Sequence, residues 1–448
     1  NAGADPALSF FAPPPITRRH DEGYTMTTSP ATASAFQSAN PHALATILQA
    51  SETQRIIAAT DIFDLAGTKL WARHQPVSAE LQRKLLDRKL REPLESCLIA
   101  EDGVTPAMLV ERLEQLVEGE TRLAPLLRPQ AAKLLREAQH LPLHPVAQLL
   151  LSAAQAARPH AFEHAVAAMG LAGSLMVGHG GQTPEIRLAM LAGLLHDLGE
   201  MYIDPLHGEA ETERELDALS YRQLVVHPHV GLLLIAQLTN YPGSVARAVA
   251  EHHERLDGSG YPHAKRGESL SPLGRLMAVT DAALAALRGP HEQLLHASIA
   301  LRAVPGEFDL AWVGQLSRAA SEQPPLQPAM QPAEIRARRA ALEEVLQAAE
   351  DNAGLLAVGE RSVNMHSALE LAQFLVGRLR AGWNESGLWS PQAATGTDAA
   401  EVEAVEDELY HRLRGVQRAV LLRAGELPAD EAATLAALCE SLPMGRVG

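Results

Sequence analysis

Cysteine is nearly absent. The 448 residues hold two, Cys97 and Cys439, far apart in the chain. That count argues against a disulfide framework and against a cysteine-built zinc finger, and it fits a reducing cytoplasm. Aromatic residues are also scarce, at 4%. Positive charge is in deficit: 38 Lys and Arg stand against 54 Asp and Glu, a formal net charge of -16. A surface of that sign is not built for nucleic-acid backbones. A small anionic substrate stays open where metals supply local positive charge. Long apolar runs are missing too: Leu188–Leu195 and Val230–Leu238 are too short to span a bilayer. No charged segment followed by an apolar one opens the chain, so no signal peptide is expected. A cytoplasmic location follows as the expectation, with no membrane or nucleic-acid partner. Residue 1 is Asn, whereas Met26-Thr27-Thr28-Ser29 reads as a plausible start. Residues 1–25 are therefore set aside as added or upstream sequence.

What is present is Ala and Leu in periodic runs broken by Gly and Pro, within an ordinary 46% hydrophobic content. The chain reads as mainly α, and its length suggests about two to four domains. Residues 1–45 are rich in Ala, Ser, Thr and Pro without a period and are expected to be disordered. Residues 46–140 form a small α+β module. Ile56–Asp64 reads as a strand, Leu65-Ala66-Gly67 as a turn and Thr68–Ala72 as the returning strand. Ser78 is an N-cap candidate, and helices are expected over Ala79–Leu90 and Thr105–Glu118. Residues 141–322 read as successive helices with short breaks, and 323–332 as a Pro-rich linker. Residues 333–448 read as a C-terminal helical module, with helices near Ala333–Ala348, Ala368–Ala381 and Glu401–Leu422 and a loop at Ser390–Ala399.

The chemistry gathers in the middle region. Glu251-His252-His253-Glu254 ends a helix-like run, and Asp257-Gly258-Ser259-Gly260-Tyr261-Pro262 turns the chain at once. Upstream stand His164, the pair His196-Asp197 after an apolar run, and His227 in His227-Pro228-His229-Val230-Gly231. Downstream, Asp281 interrupts the apolar stretch Leu276–Leu287 and so calls for a buried partner. Neutral imidazoles with carboxylates suit Zn, Mn, Fe or Ni. A single histidine is most often a surface or satisfied core residue, and His179, His207, His229 and His263 carry no more than that reading. The ordered set is another matter, because independent placement at these spacings is improbable.

That order resembles the HD-GYP family of the HD metal-dependent phosphohydrolases, over roughly residues 145–320. The resemblance implies a helical HD-type metal-binding bundle. It implies hydrolysis of the bacterial second messenger cyclic di-GMP to pGpG and/or GMP by a water shared between two divalent transition metals, with a third in some members. By the same resemblance His164, His196, Asp197 and Asp281 hold one metal. Asp197 bridges to a second held by His227, His252 and His253, and His160 is a candidate ligand of a third. Asp197 and Tyr261 are the expected catalytic residues. Gly258, Gly260, Tyr261 and Arg288 are the expected substrate-binding residues.

The chain departs from the family pattern at four places. Glu200 stands where His-Asp-x-Gly-Lys has lysine. His160 stands where a third-metal glutamate is found. Asp281 is followed by Ala282-Ala283-Leu284, and the Arg-Pro-Tyr region is reduced to Arg288-Gly289-Pro290. Two alternatives come with these departures: a catalytically weak cyclic di-GMP receptor or protein-interaction scaffold, and an HD phosphohydrolase for another phosphoester. The flanking modules are candidates for homodimer contacts or for a signalling partner.

Overall fold

A computed structural model describes residues 35–208, 218–288, 293–325, 327–356, 361–387, 399–424 and 427–441. Its helices are α1 (Pro41–Ala50), α2 (Ala79–Leu85), α3 (Leu94–Cys97), α4 (Pro106–Glu118), α5 (Ala124–Leu127), α6 (Ala131–Ala138) and α7 (Pro145–Ala157). They continue with α8 (Pro159–Gly178), α9 (Thr183–Leu195), α10 (Ala218–Leu224), α11 (His227–Leu238), α12 (Gly243–Glu251) and α13 (Pro272–Leu287). The last are α14 (Leu294–Ala300), α15 (Leu310–Ser321), α16 (Pro332–Leu356), α17 (Val363–Ser386), α18 (Ala399–Ala424) and α19 (Ala429–Ser441). Four short strands complete the set: β1 (Ile56–Ala58), β2 (Ile62–Phe63), β3 (Lys69–Trp71) and β4 (Leu98–Ala100). The chain is mainly α with a small N-terminal α+β region, as its composition implies.

Contacts divide the described residues into two compact units. One comprises 35–208 with 223–281, and the other 218–222 with 282–441. The first unit thus joins the 46–140 segment to the helices that carry the histidines, a different partition from the one drawn on composition.

The N-terminal region differs from expectation in two ways. Residues 1–34 lie outside the described residues, but the next stretch is ordered as α1. Asn40 caps α1 by accepting from His42 N and Ala43 N, and Pro41 supplies the preset φ of a first helical residue. Ala43, Leu44, Ile47 and Ala50 are buried, and burial of that face holds the helix. The expected hairpin exists only in its inner half. β2 and β3 pair antiparallel around Gly67, whose φ of +85° a glycine accepts without strain. β1 instead pairs antiparallel with β4, with Ile56 opposite Ala100 and Ala58 opposite Leu98. Ser78 precedes α2, but its side chain makes no capping bond, and α2 stops at Leu85.

The core of the first unit is the pair α8–α9. Most of the face between Phe162 and Leu175 is buried, as is Ile186 together with Ala189–Leu195. Helices apolar on nearly all sides belong inside a fold. Small residues let these two come very close. A Cβ on Gly193 would lie 2.5 Å from Ala168 O, and one on Gly173 2.7 Å from Met190 Cγ. α8 is the one described helix long and apolar enough to cross a membrane, and 67% of that window is buried within the protein.

In the second unit α16, α17, α18 and α19 pack around Leu342, Leu346, Leu369, Val376, Leu409, Leu413 and Leu435. The buried indole of Trp383 donates to Glu343 Oε2 at 3.1 Å. Arg412 binds both oxygens of the buried Glu307 at 2.7 and 2.6 Å. α19 was not anticipated from the sequence. The expected loop at 390–399 lies, up to residue 398, outside the described residues.

Candidate metal centre

Three of the imidazoles stand at helix ends, and each of these rings is aimed by the same local device. His196 follows α9, and its Nδ1 lies 2.7 Å from Gly193 O. His252 follows α12, with Nδ1 2.5 Å from Val249 O. His227 opens α11, with Nδ1 2.6 Å from Leu224 O at the end of α10. The last carbonyls of a helix have no intrahelical donor, so a histidine there satisfies one of them. Donation through Nδ1–H leaves Nε2 as a lone pair, which is the tautomer a metal requires. Glu251 and Glu254 flank the paired histidines but are turned to other partners. Glu251 accepts from Arg247, Lys265 and Ser271, and Glu254 accepts from His263 N and Lys265 N. Both carboxylates hold the loop after the paired histidines rather than the rings.

The Nε2 atoms converge on Asp197. Its Oδ2 is 3.0 Å from His196 Nε2 and 3.4 Å from His164 Nε2. Its Oδ1 is 3.4 Å from both His227 Nε2 and His252 Nε2. Within each half the nitrogens are close: His164 to His196 at 3.2 Å and His227 to His252 at 3.0 Å. His253 Nδ1 lies 3.2 Å from Asp281 Oδ2. Two ligand groups result, Asp197 with His227, His252 and His253, and His164 with His196 and Asp281. Within each group the ligand atoms lie within 4.8 Å of one another.

The site is almost dry. His196, His227 and His252 side chains are 0% exposed, and Asp197 is 11% exposed. Burial opposes charge on His196, yet Asp197, by charge and hydrogen bond, outweighs it and raises the imidazole to about 9. His252 goes the other way: burial, with repulsion from His253, lowers it to about 3. Asp197 and Asp281 are held below the usual carboxylate range because the surrounding imidazoles outweigh their burial. The two carboxylates are thus stabilised by charge on the neighbouring rings, and so by their protons. Divalent cations would take over that role and release those protons.

The residues fit metals on three counts. Asp197 Oδ1 and Asp281 Oδ1 are buried and accept no hydrogen bond, a costly state unless a cation is their partner. Imidazole nitrogens about 2.1 Å from one cation at right angles sit ~3 Å apart, the spacing of each histidine pair. The donor set is nitrogen and carboxylate oxygen only, which suits Mn, Fe, Ni or Zn.

The other anticipated residues fall in three places. Tyr261 stacks on His253, with ring centroids 4.5 Å apart at 24°. Gly258 has φ +87° and packs under Arg266. A Cβ on Gly260 would lie 2.4 Å from His253 O, so the loop runs directly over the paired histidines. His160 is exposed on the first turn of α8 and belongs to neither ligand group. Arg288 is exposed at the end of α13 and lies in the second compact unit. Gly289 and Pro290 lie outside the described residues.

Five histidines and two aspartates from α8, α9, α11, α12 and α13 and their ends thus form a nearly dry cluster that could hold metal. Residues 148–303 match the family model described as an HD domain. A protein named cyclic di-GMP phosphodiesterase PA4108, from Pseudomonas aeruginosa, is 28% identical over 207 residues, 46% of this chain and 47% of that protein. The cyclic di-GMP phosphodiesterase response regulator RpfG of Xanthomonas campestris pv. campestris is 35% identical over 101 residues, 22% of this chain and 25% of that one. The 3'3'-cGAMP-specific phosphodiesterase 3 of Vibrio cholerae is 29% identical over 90 residues, 20% of this chain and 19% of that one. The chain therefore spans about half the length of the first of these relatives and less of the others. The resemblance seen in the motifs is to this HD phosphohydrolase group.

Proposed function

We propose that the chain is a metal-dependent phosphodiesterase whose substrate is cyclic di-GMP. The observation that carries this reading is the double-faced position of Asp197, one oxygen toward His164 and His196 and the other toward His227 and His252. Two metals held by these groups would acidify a shared water and offset the negative charge that builds on the phosphoryl oxygens. Asp197 would be the ligand common to both and would keep their spacing. His164, His196 and Asp281 complete one half, and His227, His252 and His253 the other. Tyr261, stacked on His253, stands at the loop over the cluster and is placed to orient the substrate. Gly258 and Gly260 let that loop lie close. The names of the relatives support the substrate class, with both cyclic di-GMP and cGAMP among them.

The test is turnover of cyclic di-GMP by Mn- or Fe-loaded protein, with pGpG, GMP and cGAMP followed in the same assay. Chelator-stripped protein is expected to be inactive and to recover on adding metal. Intact cyclic di-GMP at saturating metal sinks the reading. One observation favours a second reading, a nucleotide receptor with little turnover. Glu200 is buried, and its charge acts on His227, so a carboxylate stands beside the cluster where the resembled family has a lysine. Tight binding of cyclic di-GMP without hydrolysis would select the receptor.

A further inference from the structure

We propose that the N-terminal helices brace the bridging carboxylate, with Tyr202, Glu95, Asn40 and Arg158 as positioning residues for the Asp197–His227 half of the cluster. This rests on the reading of that cluster as a metal pair. Immediately after Asp197 the chain makes the 3-10 turn Leu198–Tyr202, in which Glu200 N donates to Asp197 O at 2.9 Å. Such turns have weaker hydrogen-bond geometry than an α-helix and are held by their surroundings. Here the surroundings come from the segment ahead of the histidine-bearing helices. Tyr202 Oη donates to Glu95 Oε1 on α3 at 2.6 Å. Asn40, the cap of α1, donates through Nδ2 to Tyr202 O at 3.1 Å. Arg158 donates through Nη1 to Glu200 O at 3.0 Å and through Nη2 to Thr46 Oγ1 on α1 at 2.9 Å.

Asn40, Thr46, Glu95 and Tyr202 are all buried, at 8%, 3%, 3% and 1% exposure. Hydrogen bonds so placed fix positions, because breaking one strands a buried polar group. The turn in its own right touches the second half-site. A Cβ on Gly199 would lie 2.0 Å from His227 O, so the turn is in backbone contact with the first residue of α11. Any shift of the turn moves Asp197 relative to His227. The brace therefore sets the spacing of the half-site that His227 and His252 share with Asp197. The other half-site takes His164 from α8 and His196 from the end of α9, whose spacing is set by the α8–α9 contact instead.

The experiment is a Mn titration of the whole chain after metal stripping, read as affinity and stoichiometry by metal analysis. Tyr202→Phe keeps the ring and removes the donor. It is expected to weaken one of two sites by roughly tenfold, the scale of lost outer contacts at metal sites, and to leave the other unchanged. Glu95→Gln keeps an acceptor for the Tyr202 hydroxyl and is expected to retain both sites. Leu109→Ala, fully buried on α4 in the same unit, is expected to lower the Tm while both sites keep their affinity. A Tyr202→Phe protein with two unweakened sites overturns the brace alone. So does a Leu109→Ala protein that loses the same site. An unsubstituted protein that binds only one metal overturns the dinuclear reading, and the brace with it.

Discussion

Asp197 is the residue on which the site turns, and its environment says why no other side chain would serve. A bridging group needs two acceptor oxygens that stay ionised inside a dry cluster. The imidazoles around Asp197 hold it well below the ordinary carboxylate range despite its burial. An amide offers one oxygen and no charge. On the proposed function, Asp197→Asn is therefore expected to cut turnover by ~10³-fold or more and to lower metal content. Metal analysis alongside an activity assay checks this, and full metal with full activity would refute it. The residues that cluster here were legible because ionisable groups are rare inside apolar helices. Their orientation was not, because the Nδ1 bonds to Gly193, Leu224 and Val249 carbonyls depend on where each helix stops. His160 shows the converse limit. Four residues before His164, it lies about one helical turn away, but α8 leaves it in solvent.

At the scale of elements, the contact between α8 and α9 brings His164 beside His196. It depends on Gly193, because a methyl group there would sit 2.5 Å from Ala168 O and 2.8 Å from Met169 N, both backbone atoms that cannot turn aside. Gly193→Ala is expected to cost about 1–3 kcal/mol of stability as the helices part, and to weaken metal binding at the His164–His196 half. A thermal melt and a metal titration on the same preparation test both parts. An unchanged Tm would show that the helices are not in contact as described. The loop over the cluster has its own keystone. Glu254 is fully buried and accepts from His263 N and Lys265 N at 2.8 and 2.9 Å. Removing it in Glu254→Ala strands those two donors. The loop should loosen, with KM for the substrate rising by roughly tenfold or more while the metals stay bound. Loss of both metals instead would place Glu254 in the support of the rings.

The helices themselves were largely legible, since Pro in the first two helical positions and apolar periodicity mark α4, α7, α8, α9, α11 and α13. The elements that escaped were those defined by distant partners. β1 and β4 are three residues each and find one another across some forty positions of chain, and α1 sits at the edge of a stretch whose composition reads as disordered. A three-residue strand has too little pattern to show its pairing before the fold is known.

At the scale of the whole molecule, charge decides where the fold is most stable. The chain is acidic overall, and one of its carboxylates is buried without a hydrogen bond. Glu406, on α18 in the second unit, is 0% exposed, and neither of its oxygens accepts a hydrogen bond. Burial pushes it up to about 8 from 4.5, and the charges of Arg338 and Arg339 pull it only part of the way back. The sign follows from proton linkage. A carboxyl whose folded pKa lies above its unfolded one binds its proton more tightly when folded. Its contribution is fully present below about pH 4.5 and is lost as the pH rises through about 8. Glu406→Gln keeps the neutral form at every pH. It is expected to leave the Tm nearly unchanged near pH 4.5 and to raise stability by about 2–4 kcal/mol near pH 8. Melts of both proteins across that window should converge at the acid end and separate steadily toward the alkaline end. A constant difference at all pH values would mean that the Glu406 carboxyl does not change its charge on unfolding. A Glu406→Gln protein less stable at pH 8 would mean that the charged carboxylate is paired, with Arg338 or Arg339 as its partner.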